Sequence, residues 1–282
     1  METVLMTTRY DAVEVDAHQA WFLADHLRVG AYPWMLAITA PYVDPGEREP
    51  FNQRCLAELA EAGVIDADGD IKPSVAQSVK TVCQPRQWLE WRTMIDPEQI
   101  LRGVLARTSP PDAVVALRYA QMVTLTPMQV THSEAIVPII TAGLPPDQPP
   151  ARFEEFSLPM DTGKALDDRV ARGADLMEAL IELGIPEREA EIMEVARAGD
   201  RITVELTAHE ATNGAHHHTD VSVNIISTEV GQILVSPTPG QPRAGGVSIF
   251  APAEPFSIAM AVRDLTERLP SGSWFPDENF SI

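Results

Sequence analysis

Cysteine is almost missing from this chain: Cys55 and Cys83 are the only two in 282 residues. Two thiols cannot make a disulfide framework or a four-cysteine zinc site. They read as free thiols of a reducing compartment. Cationic residues are also scarce, 21 Lys and Arg against 41 Asp and Glu, for a formal net charge of −20. Binding to nucleic acid or to an anionic membrane surface draws on a cationic surplus, so this balance argues against both. No apolar stretch approaches the ~20 residues a membrane helix needs. Met1–Asp16 lacks the basic-then-apolar order of a signal peptide. The expectation is a cytoplasmic protein without membrane insertion, whose negative field keeps it dissolved and deters wrong partners.

Catalytic signatures are missing too. The chain has no Gly-x-Ser-x-Gly elbow, no Walker loop and no Gly-x-Gly-x-x-Gly. Cys83 lacks the sequence context of a catalytic thiol. Asp66-Ala-Asp-Gly-Asp70 suggests calcium, but an EF-hand loop needs Gly at its sixth position and Glu at its twelfth; a solvated turn is expected. His216-His-His218 is the loudest local feature. Asn213-Gly214 ahead of it signals a hairpin turn, and neighbouring residues of a strand point to opposite faces. A solvated loop or strand edge is therefore expected, with no metal site, no cofactor and no enzyme.

What is present is a regular alternation of helices and strands. Asp16 caps a helix with Ala17, Ala20, Trp21, Ala24 and Leu27 at helical spacing, stopped at Gly30. Trp34–Ile38 reads as a short strand. Helices are expected over 51–62, 73–82 and 131–142, and strands over 88–95, 100–107, 113–119 and 121–126. Trp88 and Trp91 should point to opposite faces of one strand, leaving one of them exposed or covered by a helix. Four prolines crowd into Pro145–Pro150, so 144–159 reads as a linker without regular structure. Beyond it, helices over 175–183, 186–198 and about 257–268 frame strands at 201–208, 221–228, 232–236 and 246–250. In the strand at 201–208, Ile202, Val204, Leu206 and Ala208 alternate with polar residues, the mark of a half-buried strand. Trp274, in the segment Trp274-Phe-Pro276, is expected to pack back on the last helix.

The second half replays the first. Leu56-Ala-Glu-Leu59 before Gly63-Val64 resembles Leu180-Ile-Glu-Leu183 before Gly184-Ile185, and Gly143-Leu-Pro145 resembles Arg268-Leu-Pro270. The two offsets are nearly equal. The fold class expected is α+β: a pseudo-twofold molecule of two similar halves, 1–145 and 146–282, in one structural unit. Their short-looped antiparallel meanders would join in a central sheet with helices packed on it.

Extended runs then point to a family. Asp16-Ala-His-Gln-Ala-Trp21, Tyr32-Pro-Trp-Met-Leu-Ala-Ile38, Val235-Ser-Pro237, and Ser257–Val262 leading to Leu269-Pro-Ser-Gly-Ser-Trp-Phe-Pro276 resemble EspG proteins. Within that family the chain is most similar to the subgroup of the iron- and zinc-linked ESX system. The resemblance covers nearly the whole chain. It implies a non-enzymatic cytosolic chaperone that binds the PPE subunit at the tip of a PE–PPE heterodimer. Such a chaperone keeps the dimer in solution and delivers it to the ESX (type VII) secretion machinery. A weak homodimer is a further expected association; a self-associating scaffold of the secretion machinery is the alternative function, and a metal-binding enzyme around the histidines is a third reading. In the family, the loop between the first two meander strands faces the cargo. Its counterpart here is Asp96, Pro97, Glu98 and Gln99, shorter than in some relatives. The second expected contact is the sheet and helix surface of the second half, including the loop carrying Asn213, His216, His217 and His218.

Overall fold

A computed structural model of the chain describes residues 12–239 and 246–275. The chain forms two compact units. The first takes residues 1–88 and 102–130, and the second takes 89–101 and 131–282. Among the described residues, no helix is long and apolar enough to cross a membrane.

In the first unit β1 (Val13–Asp16) leads straight into α1 (Ala17–Leu27). The switch is a capping box. The Gln19 amide donates to Asp16 Oδ1 at 2.8 Å, and the Asp16 amide donates to Gln19 Oε1 at 3.1 Å. The helix closes at Arg28 in the left-handed region, φ 54°, two residues before the expected Gly30. α2 (Arg48–Glu61) and α3 (Pro73–Cys83) follow. Between them, Asp66 Oδ1 accepts from the amides of Asp68 and Asp70, both at 3.0 Å. That carboxylate serves its own turn, as expected of a solvated loop. β2 (Gln87–Met94) and β3 (Ile100–Ser109) each begin in one unit and end in the other. β4 (Asp112–Tyr119) and β5 (Met122–Gln129) form a hairpin turning at Ala120, φ 51°, and β5 also pairs with β1. The core gathers Phe22 and Leu23 of α1, Phe51 and Leu59 of α2, Val79 and Val82 of α3, and Val104, Ala116, Val123 and Leu125 of the strands. Full burial of each large side chain contributes about 1.5–3 kcal/mol.

One reading of this region needs correction. Trp34–Leu36 is a 3₁₀ turn, not a strand. Pro33 precedes it, and Ala37 closes it in the left-handed region at φ 50°. Trp88 and Trp91, expected on opposite faces of β2, are both buried, as the covered alternative has it.

The second unit begins with a 3₁₀ turn, Ser133–Ile136, running into α4 (Val137–Ile140). This pair is shorter than the helix expected over 131–142. The proline-rich segment is also more ordered than expected. Ala151 donates to the Gln232 carbonyl at 2.9 Å and Gln232 donates back to Pro149 at 2.8 Å. The segment ends in β6 (Phe156–Pro159), which the linker reading missed. α5 (Met160–Ala171), likewise unforeseen, α6 (Leu176–Glu182) and α7 (Glu187–Ala198) come next. Then come β7 (Ile202–Thr212), β8 (Ala215–His218), β9 (Val223–Thr228), β10 (Gly231–Pro237), β11 (Val247–Pro252) and α8 (Pro255–Glu267).

The strands of this unit lie in the order β2-β7-β9-β10-β11-β6, with β8 paired to β7. The alternation read in 202–208 holds: Val204, Leu206 and Ala208 are buried while Thr203, Glu205 and Thr207 are not. α8 lies against β7, β9 and β10 and buries Ile258, Ala259, Val262 and Leu265. Trp274 is buried, and its amide donates to Thr266 Oγ1 of α8 at 3.3 Å. Helices α5–α7 pack through Leu166, Leu180 and Ala190 onto Leu158 of β6, and through Ala196 onto Ile233 of β10. Phe156 and Phe250 stack there at 4.9 Å.

Candidate partner-binding surface

The expected contact residues lie on two short, self-bonded turns of the second unit. Asp96 Oδ1 accepts from the amides of Glu98 and Gln99, both at 2.8 Å, and Ile95 donates to the Gln99 carbonyl at 3.0 Å. Asp96, Pro97, Glu98 and Gln99 are all exposed. This is a stiff turn that can press against a partner but has no length to wrap one. Asn213 and Gly214 both take positive φ, 51° and 77°, the backbone of a two-residue hairpin turn. They join β7 to β8, so His216, His217 and His218 stand on a paired strand rather than in a loose loop.

The two turns are not neighbours. Arg92 Nε donates to Glu205 at 2.7 Å, and His209 Nε2 lies 3.7 Å from Glu90 Oε2. Position falls along β2 as it rises along β7, so the strands run in opposite directions. The 96–99 turn therefore sits at one end of this pair and Asn213 at the other, about 36 Å apart along the eleven residues of β7. Between them one sheet face carries Glu90, Arg92, Glu205, Thr207 and His209. His216 and His218 extend it on β8. His217 points to the opposite side, in register with buried Glu210. Glu210 accepts hydrogen bonds from the amide and hydroxyl of Ser271, which explains its burial structurally.

On this face burial, with smaller contributions from His216 and His218, pushes the His209 imidazole down to about 4. Burial also lowers His216, with His218 and His217 adding to it. The cysteines offer no chemistry. Burial pushes the Cys55 and Cys83 thiols up to about 11 and about 12, far from the reactive thiolate.

Sequence reasoning missed an exposed tryptophan in the first unit. Trp34 is 84% exposed. The turn bearing Trp34 is clamped: Arg118 donates to the Leu36 carbonyl at 2.9 Å and also to Ala37, and Arg102 donates to Met35 at 3.3 Å. A cleft of about 300 Å³ beside it is lined by Trp21, Tyr32, Trp34 and Ile38. Tryptophan, arginine and tyrosine dominate the binding energy of protein interfaces, above all when held rigid. The signal available was Tyr32-Pro-Trp34, where proline constrains the backbone and disfavours a strand interior.

A large aromatic side chain held in place at the surface, such as Trp34, is of the kind enriched at protein interfaces. The chain belongs to the EspG family, whose sequence profile matches residues 16–264. It is 46% identical over 268 residues to the ESX-3 secretion-associated protein EspG3 of Mycolicibacterium smegmatis, covering 95% of this chain and 90% of that one. It is 40% identical over 288 residues to EspG3 of Mycobacterium tuberculosis, covering 96% of each. The ESX-1 secretion-associated protein EspG1 of M. tuberculosis is more distant at 26%, over 93% of this chain and 89% of that one. Among solved structures, the fold matches the type VII secretion system chaperone EspG5 of M. tuberculosis, determined in complex with a PE25–PPE41 dimer. The TM-score is 0.79, the identity 20%, and the match covers 94% of this chain and 99% of that one.

Proposed function

We propose that this chain is a non-enzymatic chaperone of type VII secretion, binding the PPE end of cognate PE–PPE dimers and keeping them dissolved in the cytoplasm. One observation carries the reading: a family member of the same fold, over nearly the whole of both chains, is a secretion chaperone solved on a PE–PPE dimer. The similarity to two proteins named for ESX-3 secretion points to that system as the destination. The division at Pro145 into similar halves belongs to the same proposal. It is supported by element order: α2 and α3 precede β2–β5 and α4, as α6 and α7 precede β7–β11 and α8.

The cargo contact is assigned to the face between Asp96–Gln99 and Asn213–His218. Covering it uses an interface of standard size, roughly 800 Å² per partner. The test is co-expression with PE–PPE pairs encoded beside its own secretion locus. A one-to-one-to-one complex on size exclusion is expected. Failure to co-elute with every such pair overturns the chaperone reading. Glu98→Lys and His218→Glu should each weaken a complex that forms by about tenfold; unchanged affinity in both moves the contact elsewhere on the surface.

A further inference from the structure

The antiparallel pairing of β7 with β8 does what linear order conceals. His209 is in register with His218, and His216 shares the face of His218 two residues away. Three imidazoles thus meet on one side of the hairpin, with ring centroids 5.4, 6.0 and 6.1 Å apart. His209 Nδ1 and His216 Nε2 are 3.2 Å apart. Two nitrogens bound at 2.0–2.1 Å to one tetrahedral ion stand about 3.3 Å apart. The other nitrogen of His209, Nε2, meets Thr207 Oγ1 at 3.0 Å and faces the Glu90 carboxylate at 3.7 Å. A ligating histidine is commonly held in this way, its remote N–H fixed by a carboxylate or another oxygen acceptor.

We propose that His209, His216 and His218 form a binding site for a divalent transition metal of the zinc, nickel and copper group, oriented through His209 by Glu90. Imidazole donors suit these ions, and three of them leave one position for water or another donor. As placed, no three donors surround a single point. Two nitrogens already have the spacing, and a rotamer change at exposed His218 supplies the third. His217, on the opposite side of β8, takes no part. The site lies on the face assigned to the cargo contact, but metal binding there does not depend on the chaperone reading.

Tag-free full-length protein, dialysed against chelator, is titrated with zinc chloride by calorimetry and with cobalt chloride by visible absorption. One ion per chain and tetrahedral cobalt bands are expected. His216→Ala and His209→Ala should each abolish the bands and cost at least about tenfold in zinc affinity, and Glu90→Gln about tenfold. His217→Ala should change neither reading. His216→Ala alters an exposed strand position, so it keeps the test valid if His209→Ala fails to fold by circular dichroism. No saturable binding by wild type overturns the site. Equal losses in His217→Ala and His216→Ala overturn it too, because they reveal a histidine tract without geometry.

Discussion

Single side chains here do work that their neighbours in sequence only partly announce. Asp16 was legible as a helix cap, and its box with Gln19 bears that out. Asp16→Ala should lower the free energy of unfolding by about 1 kcal/mol in a urea titration. Asp264 on α8 gave no such hint. Burial and nearby Glu267 raise its carboxyl above the usual range, against the pull of Arg263 and Arg268. The folded state therefore holds this proton more tightly than the unfolded chain, and stability contributed below pH 3.8 is lost as pH rises through the raised value. Asp264→Asn should be more stable than wild type at pH 7, with the gap closing towards pH 3.8, as denaturant midpoints across that range will show. The two cysteines read as free thiols, and Cys55 is buried and Cys83 half-buried. Native protein should leave Cys55 and Cys83 unmodified by a thiol reagent over minutes, both reacting once urea unfolds the chain.

Secondary elements divide by how locally their causes act. The helices from 48 to 83 and from 176 to 198, with the strand alternating from Ile202 to Ala208, follow patterns confined to a few residues, and they were legible. α5 was not. Its buried stripe narrows to Leu166, amid Asp161, Lys164, Asp167, Asp168 and Arg169, too weak a period to declare a helix. β6 was missed, and β8 read only as a loop or strand edge, for another reason. Each is four residues long and exists because a partner strand supplies its hydrogen bonds. Gly231 shows the same dependence. At φ 118° a Cβ there would sit 2.7 Å from the Ala151 backbone, where the proline-rich segment docks on β10. Gly231→Ala should destabilise by about 1–3 kcal/mol in chemical denaturation, from left-handed strain and overpacking together. Leu265→Ala on α8, fully buried, should cost about 2–5 kcal/mol in the same assay.

For the molecule as a unit, charge sets behaviour that no single contact controls. A formal net charge of −20 falls towards zero near pH 4.6, so turbidity should peak there and clear when the pH is raised. The same field disfavours acidic partners and rewards basic patches at the rim of a partner, so raising salt should slow association more than it speeds dissociation.

Family, class of fold and most helices were readable from the chain alone, because capping residues, apolar periodicity and extended similarity are written in consecutive positions. The candidate surface was readable only in part. Asn213-Gly214 declared its turn, and Asp96-Pro97 declared another. That the two lie at opposite ends of a strand pair, that His209 joins His216 and His218, and that two arginines clamp the Trp34 turn all depend on pairing across many residues of chain. Strand register and long side-chain reach settle those contacts, and neither leaves a local trace, because the hydrogen bonds that fix them form between segments distant in sequence.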